Sequence, residues 1–419
     1  MNKPELLAPA GNLNKLKTAI IYGADAVYFG GERFSLRNAS DNFTRDDIKR
    51  GVDFVKNHGK KIYAAVNVIM KNEDIDGVYS FIQDVADLGV DGVIVADLGA
   101  VTIAKEVAPQ LNVHISTQAN TTNYKSALAW HKLGAKRIVL ARELSEIDIK
   151  QIRKNTPDSL ELEAFVHGAM CISYSGRCLL SNYMAGRDAN QGDCAHPCRW
   201  KYSLMEEQRP GQYFPVYEND RGSFFFNSKD LCLIEFIPQL INAGINTFKI
   251  EGRVKSEFYV ATVVKAYREE IDRYCENSDT YQFDQKQLEE LCKVSHREYT
   301  HGFWHDMPHS EGQVYKSSSY VRDYDIVGII IDCDENGNAH ISQRNKFSVG
   351  DEIEILRPKG DFIQINVTQM ADEKDEQIQT APHAGMVVKM NVGAFVPPLS
   401  MLRKRRAVLI DNETCACDK

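Results

Sequence analysis

The chain has 419 residues, of which 43% are hydrophobic and 26% are charged, and its formal net charge at pH 7 is −8. These values are typical of a globular protein with one large domain and one or two smaller ones. The negative charge excludes a surface that is basic overall, so nucleic acid would have to be bound by a local basic patch. The sequence has no apolar run long enough to cross a membrane and no signal peptide, so we expect a cytoplasmic protein without a membrane partner.

Short apolar strands alternate with amphipathic helical segments over about residues 1–275, which predicts a parallel sheet. Eight such strands favour a closed (β/α)8 barrel of the TIM type. An open doubly wound sheet has the same local pattern, but its dinucleotide-binding form is disfavoured because no G-x-G-x-x-G follows the first strand. The candidate strands are "ELLAPAG", "AVYFGG", "KIYAAVNV", "GVIVADL", "VHISTQAN", "RIVLARE", "ELEAFVHG" and "FKIEGR".

Capping residues mark the helices between these strands. A glycine at the end of a helix suits the left-handed conformation of a C-terminal cap, and we predict such caps at Gly23, Gly89, Gly134 and Gly244. Ser256 is predicted to cap the N-terminus of the helix that follows the eighth strand.

Two further regions depart from the strand-helix pattern. Residues 171–232 form a predicted insertion between the seventh and eighth strands of a barrel domain that covers residues 1–315. Residues 316–410 contain short strands and the hairpin signal "DENGN", which predicts a small all-β barrel domain, and residues 411–419 form a tail. Near the end of that domain, the run from Arg403 to Arg406 is either a charged edge strand or a contact to a phosphate backbone.

Polar side chains fall at or near the C-terminal ends of several predicted barrel strands, where barrel enzymes keep their catalytic residues. Period-two alternation places Glu161, Glu163, Phe165 and His167 on one face of the seventh strand, and Lys249, Glu251 and Arg253 on one face of the eighth. We therefore predict an active site at this end of the barrel. Its strand-end residues are Asn67, Asp97, Gln118, His167, Glu251 and Arg253.

Five of the ten cysteines fall in or beside the insertion, with the spacing C-x6-C-x15-C-x3-C-x33-C. Thiolates select zinc or iron–sulfur clusters, and four of them complete a structural zinc site or hold a [4Fe-4S] cluster. Disulfides are disfavoured in the cytoplasm. The pattern therefore predicts metal or cluster ligation by residues from the set Cys171, Cys178, Cys194, Cys198 and Cys232.

These blocks resemble the signature segments of the U32 peptidase family. The resembling segments are "LLAPAGN", "ADAVYFGG", "EAFVHGAMCISYSGRC", "QGDCAHPCRWKY", "NSKDLC" and "FKIEGRVKS". The resemblance covers essentially the whole chain, including the C-terminal β-domain, which is typical of the longer members of the family that act on tRNA.

The resemblance implies an oxygen-independent hydroxylation in which the wobble uridine of tRNA becomes 5-hydroxyuridine, with prephenate as the hydroxyl donor. The anticodon region of tRNA is then the macromolecular partner, and a paralogous protein is a candidate partner subunit. The resemblance also implies a [4Fe-4S] cluster on Cys171, Cys178, Cys194 and Cys232, with Cys198 able to replace one ligand and Zn²⁺ as the alternative metal.

Prephenate is a dianion, so it requires cationic partners, and arginine binds carboxylates through two parallel hydrogen bonds. The cations nearest to the resembling motifs are Arg177, Arg199, Lys249 and Arg253. Asn67 and Gln118 are predicted to complete the substrate pocket. Tyr174 and Trp200 are predicted to stack on uracil or on the ring of prephenate, or to pack around the cluster.

Four residues are predicted to be catalytic, namely His167, Lys249, Glu251 and Arg253. His167 would transfer protons near neutral pH, and the alternative is a structural histidine that is hydrogen-bonded within its loop. Glu251 would act as a base or orient Arg253, and the alternative is a purely structural ion pair.

Two other functions remain open from the sequence. A peptidase is implied by the family name, but the chain contains neither H-E-x-x-H nor G-x-S-x-G. An RNA-binding module with a structural zinc is the second alternative. In either RNA-binding case, the candidate phosphate contacts are Lys201 and the run from Arg403 to Arg406.

Overall fold

The computed structural model describes residues 3–36, 42–171, 173–174, 178–200, 203–205, 213–215, 227–305, 313–314 and 320–406. The chain divides into one compact unit of Met1–Leu291 with His296–Val321 and a second of Cys292–Ser295 with Arg322–Lys419. Arg177, Lys201, the predicted boundary between residues 315 and 316, the tail at 411–419 and the side chain of Arg199 lie outside the described residues. No helix of the described part is both long and apolar enough to span a bilayer.

The first unit is built on a closed barrel of eight parallel strands. Strands β1 to β7 pair in sequence order, and β12 pairs with both β1 and β7, which closes the barrel and excludes the open doubly wound sheet. The predicted TIM-like barrel is therefore confirmed. The strands of this unit are β1 (Glu5–Pro9), β2 (Ala26–Gly30), β3 (Lys61–Val66), β4 (Gly92–Val95), β5 (Asn112–Ile115), β6 (Arg137–Val139), β7 (Glu161–Ala169), β8 (Ser203–Met205), β9 (Tyr213–Pro215), β10 (Asn227–Ser228), β11 (Asp230–Cys232), β12 (Thr247–Ile250), β13 (Tyr299–Thr300) and β14 (Gln313–Val314).

Local capping explains where the helices begin and end. Thr44 and Ser145 each form a capping box with the aspartate three residues later, and the Ser256 hydroxyl accepts the Tyr259 N–H as predicted. All four predicted glycine caps have positive φ, between 83° and 108°. The helices are α1 (Leu13–Ile21), α2 (Arg45–Asn57), α3 (Ile75–Asp87), α4 (Leu98–Val107), α5 (Tyr124–Lys132), α6 (Glu146–Lys154), α7 (Leu180–Ala185), α8 (Ile237–Asn242), α9 (Glu257–Glu276) and α10 (Gln285–Cys292).

The strand β7 takes part in three ladders, because it pairs with β12 and β11 in addition to β6. Its first half pairs with β12 in the parallel barrel, where Thr247 lies opposite Glu163. Its second half pairs antiparallel with β11, where Asp230 lies opposite Ala169. The insertion therefore leaves the barrel and returns to it on neighbouring backbone. Asp230 is fixed in turn by a buried ion pair, in which Arg297 donates from Nε at 3.0 Å and from Nη2 at 2.6 Å.

The second unit is all-β, as predicted. Eight of its strands form an antiparallel sheet in the order β19-β18-β24-β15-β16-β23-β20-β21, and β17 pairs with β22. The predicted hairpin at "DENGN" joins β15 to β16, and alternate residues of β16 are buried in the apolar core. The strands are β15 (Tyr324–Cys333), β16 (Asn338–Gln343), β17 (Phe347–Ser348), β18 (Glu352–Leu356), β19 (Ile363–Asn366), β20 (Met370–Ala371), β21 (Gln377–Ile378), β22 (Thr380–Ala381), β23 (Val387–Asn391) and β24 (Met401–Arg405).

The basic run near the C-terminus is not an edge strand. Strand β24 pairs on both sides, with β18 and with β15, so the edge-strand interpretation is wrong. Arg403 is fully buried, and its Nε and Nη2 lie 2.8 and 2.7 Å from Glu354. A phosphate backbone could not reach that guanidinium. Lys404 and Arg406 form ion pairs with aspartates of the same unit. Arg405 is exposed and forms no ion pair with the described residues.

Candidate active site

A pocket of about 90 Å³ lies at the C-terminal ends of the barrel strands. That volume has room for several water molecules or a small ligand. The pocket gathers six of the predicted residues, namely Asn67, Gln118, Cys171, Lys249, Glu251 and Arg253. Sequence reasoning missed the other lining residues, which are Tyr28, Leu36, Ala65, Ile94, Ser116, Thr117, Val139 and Arg142, and it placed Phe165 on the face without assigning it a role.

Lys249 projects from β12 into the barrel and reaches the pocket. Its Nζ lies 2.7 Å from Oε1 of Glu163 and 4.6 Å from the centre of the Tyr28 ring. The centre of the Phe165 ring lies 5.4 Å from the same Nζ. A cation between two aromatic faces gains electrostatic attraction from both. The ammonium group is therefore held by one carboxylate and two rings.

Glu163 connects the pocket to a charged network below it. It is completely buried and also accepts a hydrogen bond of 3.1 Å from Nη1 of Arg137. Arg137 continues the network to Glu5 and Glu161, each at 2.7 Å. Buried charges remain stable only when they are paired in this way. Although the sequence placed Glu163 on the inward face, nothing in the sequence predicted that Arg137 would pair with it.

The network changes the ionisation of Glu5 at the other end of the barrel. Burial alone would raise the pKa of Glu5, but the ion pair with Arg137, supported by Lys61, lowers it below its usual value overall. The carboxylate therefore stays charged under mildly acidic conditions.

Arg253 reaches the second βα loop, between β2 and α2, at the pocket wall. Its Nη2 donates to Oγ of Ser35 at 3.2 Å, and both side chains are buried. A Cβ atom on Gly30 would come within 2.0 Å of Nη1 of Arg253. Glycine is therefore required at this position of the "YFGG" segment, because a larger residue would occupy the space of the guanidinium group.

Arg142 is the cation that the sequence reasoning missed. It follows β6 by three residues and lies over the ring of Phe165, with 4.0 Å from Cζ to the ring centre. Its Nη1 donates to the carbonyl of Ala169 at 2.9 Å. Its Nη2 lies 3.8 Å from Oε2 of Glu251, so this ion pair is too long for a hydrogen bond. Arg142 follows the C-terminal end of the short strand β6 closely. The rule that barrel enzymes keep their catalytic residues at strand ends would therefore have identified it.

The amide side chains of the site have structural partners as well. Oδ1 of Asn67 accepts the N–H of Leu36 at 3.3 Å, which ties two βα loops together beside the pocket. Gln118 lies in a short turn after β5 and lines the pocket. Asp97 instead caps α4, where its carboxylate accepts the Gly99 N–H at 2.7 Å. It is not among the lining residues.

His167 lies elsewhere. The register of β7 against β12 shifts between Phe165 and His167, so one extra residue breaks the alternation and the predicted shared face ends at Phe165. The ring of His167 packs against Tyr259, Tyr267 and Tyr299 instead of lining the pocket. Burial lowers its pKa to about 3. The ring is therefore neutral at physiological pH, which favours the structural alternative over proton transfer.

None of the five cysteines of the predicted ligand set forms a disulfide. Cys171 lines the pocket, and Cys232 is buried. All five belong to the described residues. Among those residues, no group of three or more histidine, cysteine, aspartate or glutamate side chains could hold a metal ion. Ligation of a metal ion or a cluster by these thiols stays a prediction.

The remaining predicted residues also lie away from the pocket lining. Tyr174 and Trp200 are about half exposed, and neither lines the pocket. Their predicted stacking on a base or ring stays a prediction.

Two family models match the chain. The model described as peptidase family U32 matches residues 11–314, and the model of the U32 C-terminal domain matches residues 322–403. The chain is 41% identical over 403 residues to tRNA hydroxylation protein P1 of Bacillus subtilis (strain 168), with 96% of this chain and 95% of that protein covered. It is 35% identical to tRNA hydroxylation protein P of Escherichia coli (strain K12), with 94% of each covered. It is 31% identical to a protein named collagenase from Porphyromonas gingivalis, with 96% and 98% covered.

Proposed function

The chain belongs to peptidase family U32, and we propose that within this family it is an enzyme that hydroxylates tRNA. The observation that carries the proposal is the likeness to tRNA hydroxylation protein P1, which extends over 96% of the chain and so includes both units. The pocket supports an enzymatic role, because it lies where barrel enzymes bind their substrates.

The finer proposal concerns the reaction. The wobble uridine of tRNA becomes 5-hydroxyuridine, and prephenate donates the hydroxyl group. The oxygen that uridine gains is one that the donor loses, so molecular oxygen is not consumed. Three cations of the pocket, Lys249, Arg253 and Arg142, suit a small dianion, whereas Glu251 is the one acidic residue among the lining residues of the described chain.

Nucleoside mass spectrometry of tRNA tests this proposal. We expect 5-hydroxyuridine and its derivatives to disappear from a strain that lacks this gene and any paralogue, and to return with the wild-type gene. A gene carrying Lys249→Met should fail to restore them, whereas Lys150→Met, at an exposed position on α6, should restore them. Unchanged 5-hydroxyuridine in the deletion strain would exclude the proposed function.

The cofactor needs a separate measurement. The resemblance predicts a [4Fe-4S] cluster on Cys171, Cys178, Cys194 and Cys232, but these thiols are not gathered in this arrangement. Iron, sulfide and zinc should be determined after anaerobic purification of the wild-type protein, of Cys171→Ser and of the control Cys275→Ser. Iron and sulfide that are lost only in Cys171→Ser would support the cluster. A colourless protein with one equivalent of zinc would exclude it.

A peptidase is the second candidate, since one relative is named collagenase. Proteases that use a cysteine nucleophile pair it with a histidine. Cys171 lines the pocket, but no histidine does so among the described residues. We therefore expect no cleavage of gelatin by the purified protein, and cleavage that is lost in Cys171→Ser would favour the peptidase.

A further inference from the structure

Arg142 is held in place, but not all of its hydrogen-bond donors have partners. Its side chain is 7% exposed, stacks on Phe165 and donates one hydrogen bond, from Nη1 to the carbonyl of Ala169. Its Nε is buried and has no hydrogen-bond partner among the described residues. A guanidinium group has five donors, and leaving a buried donor unsatisfied is unfavourable. The geometry of the pocket therefore leaves hydrogen-bonding capacity on this residue.

The counter-ion of Arg142 is close but poorly placed. Oε2 of Glu251 lies 3.8 Å from Nη2, and the Glu251 side chain is only 13% exposed. A buried ion pair is favourable only when its geometry is good enough to offset the loss of water. Of the other two pocket cations, Lys249 already makes a short ion pair with Glu163 at 2.7 Å, whereas Arg253 donates to the neutral hydroxyl of Ser35 at 3.2 Å.

We propose that Arg142 is the residue that selects for a carboxylate group on the small ligand of this pocket, and that Glu251 is the counter-ion which the ligand displaces. The proposal rests on the pocket being the substrate site of the proposed function. A planar carboxylate can accept two parallel hydrogen bonds from a guanidinium. Glu251 keeps Arg142 oriented until the ligand carboxylate takes its place.

Binding experiments with the purified full-length protein test this assignment. The probes are prephenate and its dimethyl ester, which has nearly the same shape without the charges. We expect the acid to bind wild-type protein at least tenfold more tightly than the ester, because the ester lacks the charged acceptors. In Arg142→Lys, the dissociation constant of the acid should rise about tenfold or more, while that of the ester changes little, because a lysine cannot form the two parallel hydrogen bonds.

Two further variants make the result specific. Arg153→Lys is the matched control, because Arg153 also donates to backbone carbonyls but does not line the pocket, and it should bind both probes as the wild type does. Glu251→Gln should bind the acid as tightly as the wild type or more tightly, because the competing carboxylate is gone. Circular dichroism spectra verify that each variant is folded. If Arg142→Lys fails to fold, the Glu251→Gln result alone decides the assignment.

Three outcomes would overturn the assignment: an unchanged acid-to-ester ratio in Arg142→Lys, weaker acid binding in Glu251→Gln, or no binding of prephenate to the wild type. None of them bears on tRNA hydroxylation itself, which is tested separately by the 5-hydroxyuridine content of the deletion strain. A failure of the Arg142 assignment can therefore be told apart from a failure of the proposed function.

Discussion

Replacing Glu163 by glutamine should weaken the barrel and disturb the pocket together. The carboxylate is completely buried and accepts from Lys249 at 2.7 Å and from Arg137 at 3.1 Å. Glutamine keeps the size of the side chain but leaves two buried cations with less compensation. Removing one partner of a buried ion pair typically costs about 3–5 kcal/mol. Because Arg137 keeps Glu5 and Glu161, we expect a loss near the lower end, about 3 kcal/mol.

Urea unfolding followed by circular dichroism measures this loss. With a slope of about 3 kcal/mol per molar urea, the midpoint should fall by about 1 M. Glu161→Gln is the matched control, because Glu161 accepts from the same arginine at 2.7 Å but is 29% exposed. Exposed pairs contribute about 0–1 kcal/mol, so its midpoint should move by less than about 0.3 M.

The double variant Glu163→Gln with Lys249→Met separates charge from packing. Without the lysine, no unpaired ammonium group remains beside the amide. The loss of stability in the double variant should therefore be smaller than the sum of the two single-variant losses by about 0.5–3 kcal/mol. The reasoning would be refuted if Glu163→Gln were no less stable than Glu161→Gln, or if the two losses added fully.

Three further predictions concern other ionisable side chains. A histidine in the unfolded chain binds a proton near pH 6.5, whereas burial keeps the pKa of His167 near 3. Through this group, wild-type stability should therefore fall by about 1.4 kcal/mol for each unit by which the pH is lowered between these values. In urea titrations, His167→Gln should remove that slope, and His58→Gln should not. Burial alone would raise the pKa of Asp25, but hydrogen bonds and two nearby cations lower it overall, so the stability it contributes is present above about pH 4 and is lost on further acidification; stability of Asp25→Asn should fall less steeply there. Arg403→Met should destabilise the second unit by about 3 kcal/mol, because Glu354 loses its fully buried cation and keeps Lys293 as its ion-pair partner. Arg405→Met, at an exposed position, should change the stability of this unit by less than about 0.5 kcal/mol.

The barrel could be predicted because its signals are local. Several helices carry their own caps, and residues such as Gly23 and Ser256 indicate in the sequence where a helix ends or begins. Strand-end polarity likewise located much of the pocket, since parallel strands bring their C-terminal ends together. Both rules need only neighbouring residues.

The misses depend on tertiary structure. A single extra residue in β7 turns His167 away from the pocket, and alternation cannot reveal such a bulge. The neighbours of β24 are distant in sequence, so the burial of Arg403 could not be inferred from a run of charges. The pairing of Arg137 with Glu163 across two barrel strands is equally invisible to local patterns.

Strand β7 pairs with β12 in the barrel and with β11 at the end of the insertion, so the insertion can be exchanged as a unit. Ala169 and Asp230 face each other in an antiparallel ladder, so the two chain ends that flank the insertion are separated by only about 5 Å. A tight turn of two residues could bridge that gap. The length and composition of the segment between these residues can therefore change during evolution, or the segment can be shortened by an experimenter, without altering the spacing of the barrel strands. The barrel can keep the other lining residues of its pocket while Cys171, which lies within the segment, is exchanged with it.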